Sequence, residues 1–170
     1  MNLTKLNNLQ KTVLVIAGSD PSGGAGIQAD LKTLTSFGVY GMTAITALTE
    51  QNTNGVFDIL EIPIDFVVKQ INCCLSDINA NAVKIGMLHS ADLISAVLEA
   101  LFNNNIVSNK NVNIILDPVM VAKGGHKLLK ENAIDALKNF IKVAQPILTP
   151  NIPEAEILTG IKINNLKDMK

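Results

Sequence analysis

The apolar positions of this chain fall into short blocks of two kinds, runs of β-branched residues and stretches that repeat at helical spacing. Residues 13–17 are continuously apolar, which predicts a strand covered on both faces in a parallel sheet. Gly18 closes it, Asp20-Pro21 forces a turn, Ser22 or Gly23 is placed to cap a helix, and the glycines let backbone pass close to a ligand. At about 100° per residue the following helix puts Ile27, Leu31, Leu34 and Phe37 on one face. Asp30 falls on that same half, so its carboxylate needs a protein partner or a bound ligand.

The remaining blocks alternate in type. Residues 42–48 predict a second strand ending in the polar cluster 49–53, and residues 55–62 alternate with period two as a peripheral strand with one solvated face. Pro63 and Asp65 open a helix to about Ile78. Residues 82–88 form the next strand, and Ser90 caps a helix with Leu93, Ile94, Val97, Leu98 and Leu101 on its apolar face. Residues 113–116 deliver Asp117-Pro118, a loop holds Lys123, Gly124, Gly125 and His126, and a helix is expected over roughly 130–142. A last strand at 146–148 delivers Thr149-Pro150-Asn151, and Pro153 starts a helix with Glu154 in its first turn.

This order predicts an α/β fold, a doubly wound, mostly parallel sheet with helices on both faces and right-handed crossovers. Ligands of such sheets sit beyond the carboxyl ends of the strands. Asp20, Gln51, Met87, Asp117 and Asn151 are therefore expected to converge on one crevice, with the helix start as an anion or small-molecule site. One domain over 1–170 is expected, incomplete at its C-terminus because 162–170 offers neither a closing strand nor a cap. An uncovered edge and apolar face would make such a chain prone to aggregate.

Composition narrows the function classes. With 170 residues, 48% of them hydrophobic, and a net charge of -1, the chain can bury a core and carries no basic surface for nucleic acid or a membrane. No apolar stretch is long enough to span a bilayer and the start is polar, so a cytoplasmic protein is expected. Cys73 and Cys74 are adjacent, which excludes spaced metal or redox pairs, and Cys74 falls on an apolar helix face as a core residue. His89 and His126 are read as solvated loop residues.

Two chemistries remain open at this point, a dinucleotide site and a magnesium site. Gly24, Gly26 and Ala29 satisfy a loose dinucleotide fingerprint with Glu50 as its ribose acid, although the turn after the strand is too long for it. No lysine followed by serine or threonine closes the glycine run, which excludes a P-loop. Asp117, Asn151 and Glu154 offer hard oxygen ligands for Mg²⁺ and its waters. Equally, Asp117 is a turn acid before proline, and Asn151 with Glu154 makes a helix cap and capping box.

The ordered motifs 17–33, Thr46-Ala47-Leu48 with Gln51-Asn52-Thr53, Lys84-Ile85-Gly86-Met87-Leu88, 117–123, and Thr149-Pro150-Asn151 with Pro153-Glu154-Ala155 span nearly the whole chain. Together they resemble the hydroxymethylpyrimidine and phosphomethylpyrimidine kinases of thiamine biosynthesis, and less closely the related pyridoxal kinases. The resemblance implies a ribokinase-like fold and ATP-dependent phosphorylation of 4-amino-5-hydroxymethyl-2-methylpyrimidine and then of its monophosphate. It implies that Gln51 hydrogen-bonds the aminopyrimidine, that Gly18 and Asp30 wall the substrate site, and that Met87 and Val119 pack near the ring. Asp117, Asn151 and Glu154 would serve the nucleotide and phosphate side, with Asp117 and Glu154 holding Mg²⁺ through water.

Family members commonly form homodimers. They also carry a C-terminal glycine-threonine-glycine-cysteine turn that supplies the anion hole and the group at the reacting hydroxyl, which this sequence does not contain. The resemblance therefore places no catalytic residue within the chain. Alternative readings are a pyridoxal or pyridoxine kinase-like enzyme and a non-catalytic pyrimidine-binding remnant.

Overall fold

The computed structural model describes residues 10–120 and 131–169. The expected loop at Lys123, Gly124, Gly125 and His126, and the first residue of the helix expected from Lys130, lie outside the described residues. The elements follow the order β1 (Thr12–Ser19), α1 (Gly26–Ser36), β2 (Tyr40–Asn52), β3 (Gly55–Glu61), α2 (Ile64–Asp77), β4 (Ala82–Ile85), α3 (Ala91–Asn103), β5 (Asn113–Leu116), α4 (Ile134–Ala144), β6 (Ile147–Leu148) and α5 (Ile152–Thr159). A 3₁₀ turn, Glu131–Ala133, leads into α4.

The strands form one six-stranded sheet in the order β3-β2-β1-β4-β5-β6. All neighbours are parallel except β2 and β3, which pair antiparallel through a tight turn. The chain thus winds outward from β1 in both directions, and the strand order reverses beside β1. That is where a doubly wound sheet leaves a crevice.

Alternation along the central strands assigns their faces. Leu14, Ile16, Val83, Ile85 and Leu116 are fully buried on one side, packed with Val67 and Ile71 of α2, Leu93 and Val97 of α3, and Phe140 of α4. On the other side Val15 and Ala17 meet Ile27 of α1, with Leu34 and Ile45 partly buried against them. Apolar side chains are exposed around β6 and beyond it at Ile147, Ile152, Ile161, Leu166 and Met169.

Three local expectations are corrected. Phe37 is 77% exposed rather than on the core face of α1, because the helix ends at Ser36 and Phe37 is its C-cap. The helical period stops applying once the backbone leaves the helix. β2 continues through the polar cluster to Asn52, since antiparallel pairing with β3 holds that cluster extended. His89 is buried, with Nδ1 3.3 Å from Glu61 Oε1 at the end of β3, although it belongs to no helix or strand.

Other details follow the pattern closely. The Ser90 hydroxyl accepts from Leu93 N and caps α3. Cys74 is half-buried against the core, and burial, then the neighbouring Cys73, pushes its thiol up. The stretch of β2 that precedes its pairing with β3 is closed by α2, whose Gln70 accepts from Ile45 N at 3.0 Å and donates to Ile45 O at 3.1 Å. Gln70→Ala removes both partners from part-buried backbone groups. Urea unfolding is expected to show a loss of about 1–3 kcal/mol.

Candidate functional site

The turn between β1 and α1 is built on one carboxylate. Asp20 is 3% exposed and accepts from Ser22 N (2.9 Å) and Ser22 Oγ (2.7 Å) on Oδ1, and from Gly24 N (2.9 Å) and Ala25 N (2.8 Å) on Oδ2. Burial pushes this carboxyl up, but the hydrogen bonds from Ser22, Ala25 and Gly24 outweigh it and hold it below the usual carboxylate range. The anion expected at the helix start is therefore supplied by the chain itself. Neither Ser22 nor Gly23 caps α1; Ala25 stands at the N-cap without a side-chain bond.

Glycine is required where this turn closes. Gly26 has φ +56, and a Cβ there would lie 2.4 Å from Gly18 O and 3.2 Å from Asp20 N. The turn is locked to its neighbours from below: Gln28 accepts from Asp20 N and donates to Ser19 Oγ, and Thr49 Oγ1 donates to Ser19 O.

Beside this turn lies a crevice of about 320 Å³ whose lining includes Gly18, Asp30, Gln51, Met87, Asp117 and Val119. Of the five residues expected to converge, Asp20, Gln51, Met87 and Asp117 line this crevice at the carboxyl ends of β1, β2, β4 and β5, and Asn151 does not. Met87 is buried and packs with Ala47, against which Ile59 and Val119 lie partly buried, giving the crevice an apolar floor. Gln51 is half-buried, and its Oε1 lies 3.1 Å from Thr49 Oγ1, whose proton goes to the nearer Ser19 O at 2.8 Å. Among the described residues no hydrogen bond engages its Nε2.

Asp30 has the partner its position demanded, Lys84, whose Nζ lies 2.8 Å from Oδ2. Both line the crevice with Asp117. Burial pushes the Asp117 carboxyl up; Lys84 pulls it down, and Asp30 pushes it further up. Lys84 was singled out by no sequence argument, yet a lysine between Val83 and Ile85, in an otherwise apolar strand, is a readable signal. Such a charge is buried only with a partner.

Asn151 and Glu154 are not among the described residues that line the crevice. They form a capping box on α5: Asn151 Oδ1 accepts from Glu154 N at 3.0 Å, and Glu154 Oε2 accepts from Asn151 N at 3.0 Å. Met120 N approaches Glu154 Oε1 at 3.4 Å, so both oxygens of this buried carboxylate face backbone donors. The cause is local: β6 is two residues long and α5 starts four residues after it, which commits Asn151 to the helix end. Asn151→Ala is expected to lower stability by about 1 kcal/mol in thermal unfolding. Glu50 is exposed and does not line the crevice, which removes the ribose acid of the dinucleotide reading. Among the described residues no three His, Cys, Asp or Glu side chains gather as a metal cluster, and no helix is long and apolar enough to cross a membrane.

Comparison with known proteins bears on the fold and the family. The chain is 49% identical over 153 residues to the hydroxymethylpyrimidine/phosphomethylpyrimidine kinase of Haemophilus influenzae, covering 90% of this chain and 55% of that protein. It is 44% identical to the enzyme of that name from Bacillus subtilis, covering 92% and 56%. The chain therefore spans little more than half the length of these curated relatives. A phosphomethylpyrimidine kinase from Clostridium difficile superposes with a TM-score of 0.84 at 48% identity, covering 95% of this chain and 68% of that one. The Staphylococcus aureus pyridoxal kinase in complex with pyridoxal superposes with a TM-score of 0.80 at 36% identity, covering 94% and 58%. The sheet is accordingly the ribokinase-like sheet that the resemblance implied. The family model described as phosphomethylpyrimidine kinase matches residues 20–170, and the chain belongs to that family.

Proposed function

We propose that this chain forms the substrate-binding part of a kinase that transfers phosphate from ATP to 4-amino-5-hydroxymethyl-2-methylpyrimidine, and then to the resulting monophosphate, in thiamine diphosphate biosynthesis. The observation that carries the reading is Gln51. Its amide stands at the crevice with both a donor and an acceptor to offer a heteroaromatic edge. Met87 and Val119 offer the apolar contact that a flat ring requires, and Gly18 lets the ring approach backbone. Asp30, held by Lys84, supplies an acceptor for a substrate N–H or O–H.

Asp117 fits the nucleotide and metal side, because burial leaves a carboxylate that gains from a cation. Asp117 would hold Mg²⁺ through its water shell. Glu154 and Asn151 have their capping bonds already made, so their share would be through water as well. Magnesium, when bound, neutralises charge on the nucleotide phosphates. Phosphoryl transfer also needs an anion hole and a group at the reacting hydroxyl, and we assign neither to a residue of this chain. A cytoplasmic location and a homodimer complete the proposal.

A second reading, a pyridoxal kinase, is favoured by the likeness to the Staphylococcus aureus enzyme. Side-by-side assays of ATP-dependent phosphorylation of hydroxymethylpyrimidine and pyridoxal, on this chain and on the product of the complete reading frame, separate the readings. Preference for the pyrimidine supports the proposal, and preference for pyridoxal replaces it. Pyrimidine binding without phosphorylation in either protein leaves the non-catalytic remnant.

A further inference from the structure

The one lysine among the described crevice-lining residues sits where a sheet least tolerates it. β4 runs between β1 and β5, and Lys84 is flanked by Val15 on one side and Ile115 on the other. Its neighbours Val83 and Ile85 are fully buried in the opposite face. A charge in this setting costs desolvation, and an apolar pair of similar volume would serve stability as well. The lysine therefore calls for a reason beyond holding the sheet together.

The geometry supplies one. Lys84 Nζ reaches 2.8 Å from Asp30 Oδ2, an ion pair that ties the middle of the sheet to the second turn of α1. Gly86 makes room for it, since a Cβ there would fall 3.2 Å from Nζ and 3.1 Å from the Ala17 Cβ. Asp117 lines the crevice with this pair and feels the charge of both of its members. Without Lys84, Asp30 would be a part-buried carboxylate that has lost its ion-pair partner.

We propose that Lys84 is a positioning residue for the pyrimidine site, fixing the Asp30 carboxylate against the crevice as an acceptor for the substrate, in the space that Gly86 leaves open. This rests on the pyrimidine reading above. Lys84 acts through Asp30 and does not itself touch the reacting atoms.

The test is calorimetric titration of 4-amino-5-hydroxymethyl-2-methylpyrimidine into the wild-type protein and the variants Lys84→Met, Lys84→Arg and Asp30→Asn, with thermal unfolding alongside. Lys84→Met is expected to weaken binding about tenfold or more, as loss of a charged hydrogen bond does. Lys84→Arg should recover most of it, and Lys84→Met combined with Asp30→Asn should lose less than the sum of the two. A structural lysine would move the unfolding temperature without this pattern. If Lys84→Met does not fold, Gly86→Ala displaces the ammonium with its charge intact and is expected to weaken binding in the same direction. Wild-type affinity in a folded Lys84→Met, or in Gly86→Ala if that is the variant read, or strictly additive losses, would overturn the inference. A wild-type protein without pyrimidine affinity would instead overturn the proposed function, and the inference with it.

Discussion

Gly26→Val is expected to destabilise the protein by about 3 kcal/mol or more, a large fraction of the stability of an ordinary domain. Two costs add at this position. The backbone sits at φ +56, which a β-branched residue adopts only under strain. The new Cβ would also meet Gly18 O at 2.4 Å, and that oxygen belongs to the end of the central strand rather than to a side chain that can swing away. Relief requires moving the turn from the sheet, which separates Gly18 from the crevice floor. Urea unfolding measures the first consequence and pyrimidine titration of any folded fraction the second. A loss below about 1 kcal/mol would mean that the turn yields easily and does not set the crevice geometry.

Asp20→Ala comes next in size, about 3 kcal/mol, because it strips partners from Ser22 N, Ser22 Oγ, Gly24 N and Ala25 N together. Water can reach part of the vacated space, which keeps the loss below four separate penalties. The same carboxylate gives a pH signature. Its folded pKa lies below the ordinary value, so the folded state releases the proton more readily than the unfolded chain. Its contribution is complete above the unfolded pKa, near 3.8, and is lost as pH falls through the lower folded pKa. Asp65, by its exposed pair with Lys69, and Glu156, by the hydrogen bond from Ile163 N and then by Lys162, are shifted in the same direction, but both are common to wild type and variant. Unfolding of wild type and Asp20→Asn measured from about pH 6 to about pH 2 should therefore show the variant losing less stability on acidification. Parallel curves would mean that the buried carboxylate does not titrate as the turn geometry requires.

Much of this fold is legible in the sequence because its elements are locally consistent. The unbroken apolar run of β1, the period-two pattern of β3, Ser90 before α3 and Pro153 at the start of α5 each point to the element that forms. The crevice is legible for a topological reason: parallel strands bring their carboxyl ends to one edge, and Gln51, Met87 and Asp117 stand at those ends. What the sequence hides depends on which groups meet across the chain. Asp20 reads as a turn acid before Pro21, and nothing linear says that its two oxygens satisfy four donors. His89 reads as a loop residue until the end of β3 brings Glu61 beside it. Asn151 ends a strand as Asp117 does, but β6 is short and the helix end claims its side chain. The partner of Asp30 lies 54 positions away, beyond the reach of helical spacing.

The most direct test of the central claim is to titrate 4-amino-5-hydroxymethyl-2-methylpyrimidine into isotopically labelled protein and follow amide and side-chain resonances. The account predicts that the largest shifts fall on Gly18, Gln51, Met87 and Val119, with the Gln51 side-chain amide protons among them. Shifts confined to α4, β6 and α5, or no shifts at saturating pyrimidine, would contradict it.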